Sequence, residues 1–261
     1  MKKLCVIGDP IGHSLSPKIH AAFGEQTGIA LEYTAEHVTK DDLESFLKRF
    51  FAQGGRGLNV TVPHKESVWR WCQHLTARAE AAGAVNTLFY NDDVLTGDNT
   101  DGVGLVDDLL RQQVVLQDAR VLLLGAGGAA RGALGPLVDA GARVSIHNRT
   151  ESRARQLIQD LGQGRQVSPD EGEFDVIISS SSAGLTQERL TLPGHWVTKD
   201  TFAYDMIYSD QPTPFMQAAA EAGSAHQSDG LGMLLGQAAR AFQRWTGVLP
   251  EIAPVMRLLR K

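Results

Sequence analysis

The sequence predicts an α/β fold in two domains. Short apolar runs ending in glycine or proline alternate with amphipathic stretches along most of the chain. A glycine-rich turn, GAGGAARG at Gly125–Gly132, sits between a strand pattern and a helix pattern. The composition also shifts near Asp101: strands, helices and polar loops mix before it, and a regular βαβ pattern opens after it. With 261 residues, 43% apolar and 21% charged, the chain can bury a substantial core.

In the first part, KLCVIG (Lys3–Gly8) reads as a buried strand and SPKIHAAFGEQTG (Ser16–Gly28) as a helix. Ser16 suits the N-cap, Pro17 the first helical position and Gly28 the stop. ALEYTAEHV (Ala30–Val38) is the next strand, and DDLESFLKRFFAQGG (Asp41–Gly55) an amphipathic helix. GLNVTVPHKESV (Gly57–Val68) reads as a strand stopped by Pro63. GAVNTLFYNDDVLTGDNTDG (Gly83–Gly102) is a hairpin turning at Asn91–Asp93, and a linker helix starts at Asp101.

The second part predicts a strand at Arg120–Leu124, a helix to about Ala140 and a strand at Arg143–His147. Helices follow at Glu151–Leu161 and Thr213–Ala222, with buried strands at Phe174–Ser179 and Thr201–Tyr208. A closing helix runs from about Leu231 to Trp245, its apolar residues at three- and four-residue spacing. Its pattern alone does not assign it to either domain.

The net charge of −5 argues against a general binder of nucleic acid or anionic membranes. The two cysteines, Cys5 and Cys72, form no CxxC pair, so neither a metal site nor a disulfide framework is expected. The apolar run before Gly8 in the opening stretch is only four residues, Leu4–Ile7, too few for a secretory core, and no apolar run approaches the ~20 residues of a membrane span. A cytoplasmic location is the expectation.

The glycine-rich turn reads as GxGxxA with Gly125, Gly127 and Ala130. In its strand–turn–helix–strand context it marks a Rossmann-type dinucleotide-binding domain with a parallel sheet, where pyrophosphate meets backbone N–H groups at a helix N-terminus. The end of the next strand selects the cofactor. It reads HNRTESR (His147–Arg153), with no acid to hold a free ribose 2′-hydroxyl. Asn148, Arg149, Thr150 and Arg153 suit a 2′-phosphate instead, which predicts NADP. The alternative is a solvated helix face partly neutralised by Glu151.

Strand alternation places Asn59 and Thr61 on one face of LNVTV, opposite Leu58, Val60 and Val62. Lys65 follows the proline and can emerge near the polar face. Asn86 and Asp101 flank the open end of the hairpin; if that end faces Lys65, a Lys–Asp pair forms beside two asparagines. Ser14 and Ser16, at a helix N-terminus, suit a carboxylate.

IGHSLSPKIH, LNVTVPHK, GAVNT, NTDGVG, GAGGAARG, NRT, YDMIY and DGLGMLLGQAA occur in an order and spacing that resembles the shikimate dehydrogenases over nearly the whole chain. The resemblance implies a substrate-binding domain at 1–100, joined by a returning C-terminal segment at 230–261, an NADP-binding Rossmann domain at 101–229, and an active-site cleft between the two. It implies that Ser14 and Ser16 hold the substrate carboxylate. Asn59, Thr61, Asn86 and Gln237 would hold ring hydroxyls, with Tyr208 nearby. Lys65 and Asp101 would be the catalytic pair. Gly125, Gly127, Gly128 and Ala129 would shape the pyrophosphate turn, Asn148, Arg149, Thr150 and Arg153 would take the 2′-phosphate, and Met206 and Gly230 would flank the nicotinamide. The implied reaction is reduction of 3-dehydroshikimate to shikimate by NADPH, with the Lys65 ammonium as proton donor. His64 competes for that role, but its side chain should leave on the other face. Rival readings are a quinate/shikimate dehydrogenase of broader substrate or cofactor use and a non-catalytic NADP-binding relative. The expected assembly is a monomer or homodimer. One departure stands out: Ser179-Ser180-Ser181 occupies a place where the family commonly has Asn-Ala-Thr.

Overall fold

A computed structural model describes residues 1–168, 170–180 and 191–260. The chain divides into two compact units, one of residues 1–101 with 235–261, the other of residues 102–234.

In chain order the first unit contains β1 (Lys2–Gly8), α1 (Ser16–Thr27), β2 (Leu31–His37), α2 (Leu43–Ala52), β3 (Gly55–Val60), α3 (Lys65–Trp71), β4 (His74–Leu75), α4 (Ala77–Ala82), β5 (Thr87–Asn91) and β6 (Val94–Asp98). Its six strands lie in the order β2-β1-β3-β5-β6-β4. The β1–β2, β1–β3 and β4–β6 pairs are parallel, and β3–β5 and β5–β6 are antiparallel. The β5–β6 turn falls at Asp92 and Asp93, both with positive φ, the conformation a two-residue hairpin of matching twist requires.

The second unit follows with α5 (Asp101–Arg111), β7 (Arg120–Leu124), α6 (Gly128–Asp139), β8 (Arg143–His147), α7 (Glu151–Leu161), β9 (Arg165–Gln166), β10 (Val176–Ser179), β11 (Phe202–Asp205), α8 (Pro214–Glu221) and β12 (His226–Ser228). Its six strands are all parallel, in the order β12-β11-β10-β7-β8-β9. Counted from β7 this is the doubly wound order 3-2-1-4-5-6. α9 (Leu231–Thr246) begins in this unit and continues into the first, where α10 (Ile252–Leu259) ends the described chain.

Side-chain alternation sorts both cores. On β7, Val121 and Leu123 join Ala130, Leu134, Leu137 and Ile146 on one face, while Leu122 joins Phe174, Ile177 and Phe215 on the other. A parallel sheet covered on both faces needs such apolar strands. In the first unit, Leu58 and Val60 pack with Ile7, Leu47, Phe50 and Leu88. The opposite face carries Leu4, Phe89, Ala241 and Trp245. Gly57 leaves room there for the indole of Trp245, whose Nε1 donates to the Leu88 carbonyl at 2.9 Å. Cys5 lies fully buried on β1, and burial pushes both thiols up, that of Cys72 to about 12.

Each unit also buries a carboxylate under arginine. Asp98 accepts from Arg78 Nε and Nη2, both at 2.6 Å, from Arg244 Nε at 2.9 Å, from the Thr76 hydroxyl at 2.7 Å and from the Asn99 N–H at 2.8 Å. Burial pushes its pKa up, but Arg78, with Thr76 and Arg244, outweighs burial and holds it below the usual carboxylate value. In the second unit, Asp108 accepts from Arg111, Gln112 and the Tyr204 hydroxyl.

Two local expectations need correction. Ser16 is not the N-cap but the first helical residue; Leu15 occupies the cap position, already in the right-handed region. The chain turns earlier because the Ser14 hydroxyl accepts the Ser16 N–H at 3.3 Å. The strand predicted to run to Pro63 ends at Val60. Lys65 then begins the short helix α3, because the Thr61 carbonyl accepts the His64 N–H at 3.0 Å and starts the turn.

Gly57→Ala places a methyl against the Trp245 indole and 2.7 Å from the Leu88 carbonyl oxygen. It should destabilise by about 1–3 kcal/mol and lower the urea midpoint. Asp98 has a depressed pKa, so its contribution is present above the ordinary carboxylate range and lost as pH falls through the depressed value. Asp98→Asn should therefore cost about 3 kcal/mol at pH 7. The gap to wild type in denaturant melts should narrow below about pH 4.

Candidate active site

Residues separated by much of the sequence meet in the first unit. Lys65 Nζ, at the start of α3, donates to Asp101 Oδ2 at 2.7 Å. The other oxygen of Asp101 accepts from Asn86 Nδ2 at 2.8 Å. The Asp101 N–H is held by Asn99 Oδ1 at 3.1 Å, and Asn99 Nδ2 is anchored on the Ala84 carbonyl. Asp101 therefore cannot rotate freely. The Lys65 side chain stays about one-third open to solvent at 30% exposure, enough for the ammonium to meet a ligand.

Behind this pair runs a buried polar layer. Asn86 Oδ1 accepts from the Thr100 N–H and the Thr87 hydroxyl, both at 2.9 Å. Thr100 Oγ1 donates to the backbone carbonyl of Gln237 at 3.1 Å, and Gln237 Oε1 lies 3.5 Å from Asn86 Nδ2. The Gln237 side chain on α9 is thus brought beside the hairpin despite a separation of 151 residues. Asn59 reaches the same layer, with Nδ2 donating to Thr87 Oγ1 at 3.1 Å and to the Asn86 carbonyl at 3.2 Å. Its face of β3 is opposite Leu58 and Val60, as alternation requires. Ser16 is buried, while Ser14 and Thr61 are half-buried. His64 is fully buried and points elsewhere: its Nε2 lies 2.7 Å from the Val38 carbonyl.

Sequence reasoning did not find Tyr33, Thr87 or Thr100, which tie this layer together. The Tyr33 hydroxyl donates to Asn59 Oδ1 at 2.6 Å. The signals were present, since Thr87 and Thr100 adjoin Asn86 and Asp101, and Tyr33 lies on a strand flanking β1 on the side opposite β3.

The second unit presents the glycine turn. Gly125, with φ +112°, follows β7, and Gly127 caps α6 in extended conformation. A Cβ at Gly127 or Gly128 would meet nothing, so a ligand can approach the exposed backbone at the helix N-terminus, and Ala129 is exposed beside them. After β8, Arg149, Thr150 and Arg153 are exposed, and Asn148 Nδ2 shapes the turn by donating to the Thr150 carbonyl at 2.8 Å. Glu151 pairs with Arg155 at 3.1 Å, and among the described residues neither Arg149 nor Arg153 forms an ion pair. This arrangement fits a dinucleotide with a 2′-phosphate.

At the ends of β11 and β12, Gly230 N–H donates to the Ile207 carbonyl at 3.0 Å, and a Cβ at Gly230 would collide with the Met206 carbonyl. Tyr208 is exposed in this unit. Of the unusual serines, Ser179 is buried, and Ser180 Oγ donates to the Leu124 carbonyl at 2.7 Å. Ser181 lies outside the described residues. Among the described residues, no group of three or more potential ligands could hold a metal ion, and no helix is long and apolar enough to cross a membrane.

Three family models match the sequence. They are described as the shikimate dehydrogenase substrate binding domain over residues 6–88, shikimate/quinate 5-dehydrogenase over 108–189, and the shikimate 5'-dehydrogenase C-terminal domain over 230–260. The NADP(+) shikimate dehydrogenase of Hahella chejuensis is 47% identical, the match covering 100% of this chain and 99% of that one. Among solved structures, an Ael1 enzyme from Pseudomonas putida superposes with TM-score 0.94 at 36% identity, covering 100% of this chain and 99% of the other. The shikimate 5-dehydrogenase of Thermus thermophilus, solved with NADP(H) and shikimate, gives 0.90 at 32% identity, covering 100% and 99%. With near-half identity along its full length to named relatives, the chain belongs to the shikimate dehydrogenase family.

Proposed function

We propose that this protein is an NADP-dependent shikimate dehydrogenase, which reversibly reduces 3-dehydroshikimate to shikimate on the route to chorismate and the aromatic amino acids. The observation that carries the reading is the Lys65–Asp101 pair, its carboxylate held by Asn86 and its ammonium partly open to solvent. The first unit is the substrate-binding domain and the second the NADP-binding domain. Both reactants are water-soluble, which supports a cytoplasmic location.

NADPH, when bound, supplies the hydride; Gly125, Gly127, Gly128 and Ala129 would take its pyrophosphate, Met206 and Gly230 would flank the nicotinamide, and Asn148, Arg149, Thr150 and Arg153 would take its 2′-phosphate. Ser14 and Ser16, at the N-terminal end of α1, hold the substrate carboxylate, where hydroxyl donors and the helix end favour an anion. Asn59, Thr61, Asn86 and Gln237 order the ring hydroxyls, and Tyr208 contributes from the second unit. As negative charge develops on the ketone oxygen, the Lys65 ammonium stabilises it and donates a proton. Asp101 keeps that ammonium oriented, because its own two oxygens are held by Lys65 and Asn86. In the oxidative direction the Lys65 amine takes the proton from the substrate hydroxyl.

Purified protein should therefore reduce NADP+ with shikimate far faster than NAD+ or with quinate, as followed by NADPH absorbance. Lys65→Ala should lower kcat by ~10²–10⁴-fold while leaving NADP+ binding intact. A kcat close to wild type would rule out the proton-donor role. Arg149→Ala should raise the KM for NADP+ by ~10–100-fold and leave that for NAD+ nearly unchanged, because only the former loses a charge-assisted contact.

A further inference from the structure

The proposed function gives Asn59 a substrate hydroxyl to hold, and the role of its neighbour Tyr33 rests on that reading. A carboxamide offers a donor end and an acceptor end, and a half-turn exchanges them. Three partners settle the orientation of Asn59. One amide proton goes to the Asn86 backbone carbonyl, which can only accept. The other goes to Thr87 Oγ1, whose own proton is directed to Asn86 Oδ1 at 2.9 Å. Asn59 Oδ1 therefore faces the Tyr33 hydroxyl, which donates to it at 2.6 Å. With both amide protons used, what remains for a ligand is acceptor capacity on Oδ1.

Tyr33 is suited to be a permanent donor. Burial holds its phenol well above the ordinary pKa, Cys5 adds to the effect, and the influence of the Ser16 hydroxyl only partly opposes it. The ring is held in place by stacking on His20, with centroids 4.2 Å apart and planes 16° from parallel. His20 is fully buried and touches Phe23, Phe242 and Trp245, and burial lowers its pKa to about 3, so the platform beneath Tyr33 is uncharged.

We infer that Tyr33 is a positioning residue for the substrate site: its hydroxyl locks the Asn59 carboxamide so that Asn59 accepts a proton from a substrate hydroxyl rather than donating one. Tyr33 need not touch the substrate for this. Its removal frees the amide to turn, and a turned amide offers a donor where an acceptor is needed.

Steady-state kinetics of the full chain with shikimate and NADP+ test this. Tyr33→Phe should raise the KM for shikimate by ~5–30-fold, the effect of one misdirected hydrogen bond. The KM for NADP+ and the melting temperature should stay near wild type, and kcat should change less than KM. Asn59→Ala should raise the shikimate KM as well, and adding Tyr33→Phe to it should have no further effect. Thr87→Val, which removes the other side-chain partner of the same amide, is a second variant and should move the shikimate KM in the same direction. A Tyr33→Phe enzyme with an unchanged shikimate KM overturns the inference, as do independent, multiplying effects of the Tyr33 and Asn59 changes. An equal rise in both KM values points to general structural damage and overturns it too. An Asn59→Ala enzyme with unchanged KM removes its basis. If the wild type turns over shikimate and Lys65→Ala does not, the functional reading survives any of these failures; a wild type inactive with shikimate ends both.

Discussion

The first unit is organised around a carboxylate that has no freedom left. Asp101 is approached by an ammonium on one oxygen and an amide on the other, while its backbone is tied to Asn99. These partners come from a helix start, a hairpin base and the turn before α5. A charged pair of this kind in water would sample many geometries; side chains fixed by a second layer of hydrogen bonds do not. That second layer contains Asn86, Thr87, Thr100 and Asn59, all buried and each bonded to at least one of the others. Because the polar groups are satisfied inside the unit, the arrangement is ready before any ligand arrives, which is the condition for electrostatic stabilisation at low reorganisation cost.

The same logic governs the supports. Asp98 lies three residues before Asp101 and binds two arginines, one from α4 and one from α9. It fixes the end of β6 from which the Asn99–Asp101 turn departs, and its oxygen also accepts the Asn99 N–H. Burying a carboxylate is costly unless it is paired, and here the pairing draws distant segments onto one point. In the second unit Asp108 does comparable work between α5 and Tyr204.

Much of this was readable from residues alone where local and global signals agree. The strands at Arg120–Leu124 and Arg143–His147 and the helix at Glu151–Leu161 have the bounds their patterns indicate, because apolar runs and turn residues coincide there. The polar face of LNVTV and the Lys65–Asp101 pairing were also readable, one from strand periodicity and the other from the hairpin and the motif it completes. Short elements were not. α3 has seven residues and follows a proline that looks like a stop, and α4 has six, although Thr76 caps it by accepting the Ala79 N–H. Propensity carries little weight over one or two turns, and tertiary packing decides. The role of Tyr33 was hidden for a different reason, and the place of Gln237 came from the motif it belongs to rather than from any local pattern. Tyr33 meets Asn59 only because β2 and β3 both pair with β1, and Gln237 meets Asn86 only through the path of α9. No local window contains those facts.

The order of residues in the two units has a consequence for synthesis. The second unit is one continuous stretch, whereas the first joins residues 1–101 to residues 235–261. The aromatic side chains that close the far face of its sheet, Phe242 and Trp245, are made only after the whole of the second unit. The unit begun first is thus completed last, and its nascent half must wait with an uncovered apolar surface while some 130 residues are translated at ~5–20 per second. Chaperone dependence and sensitivity to premature termination would be concentrated in that interval.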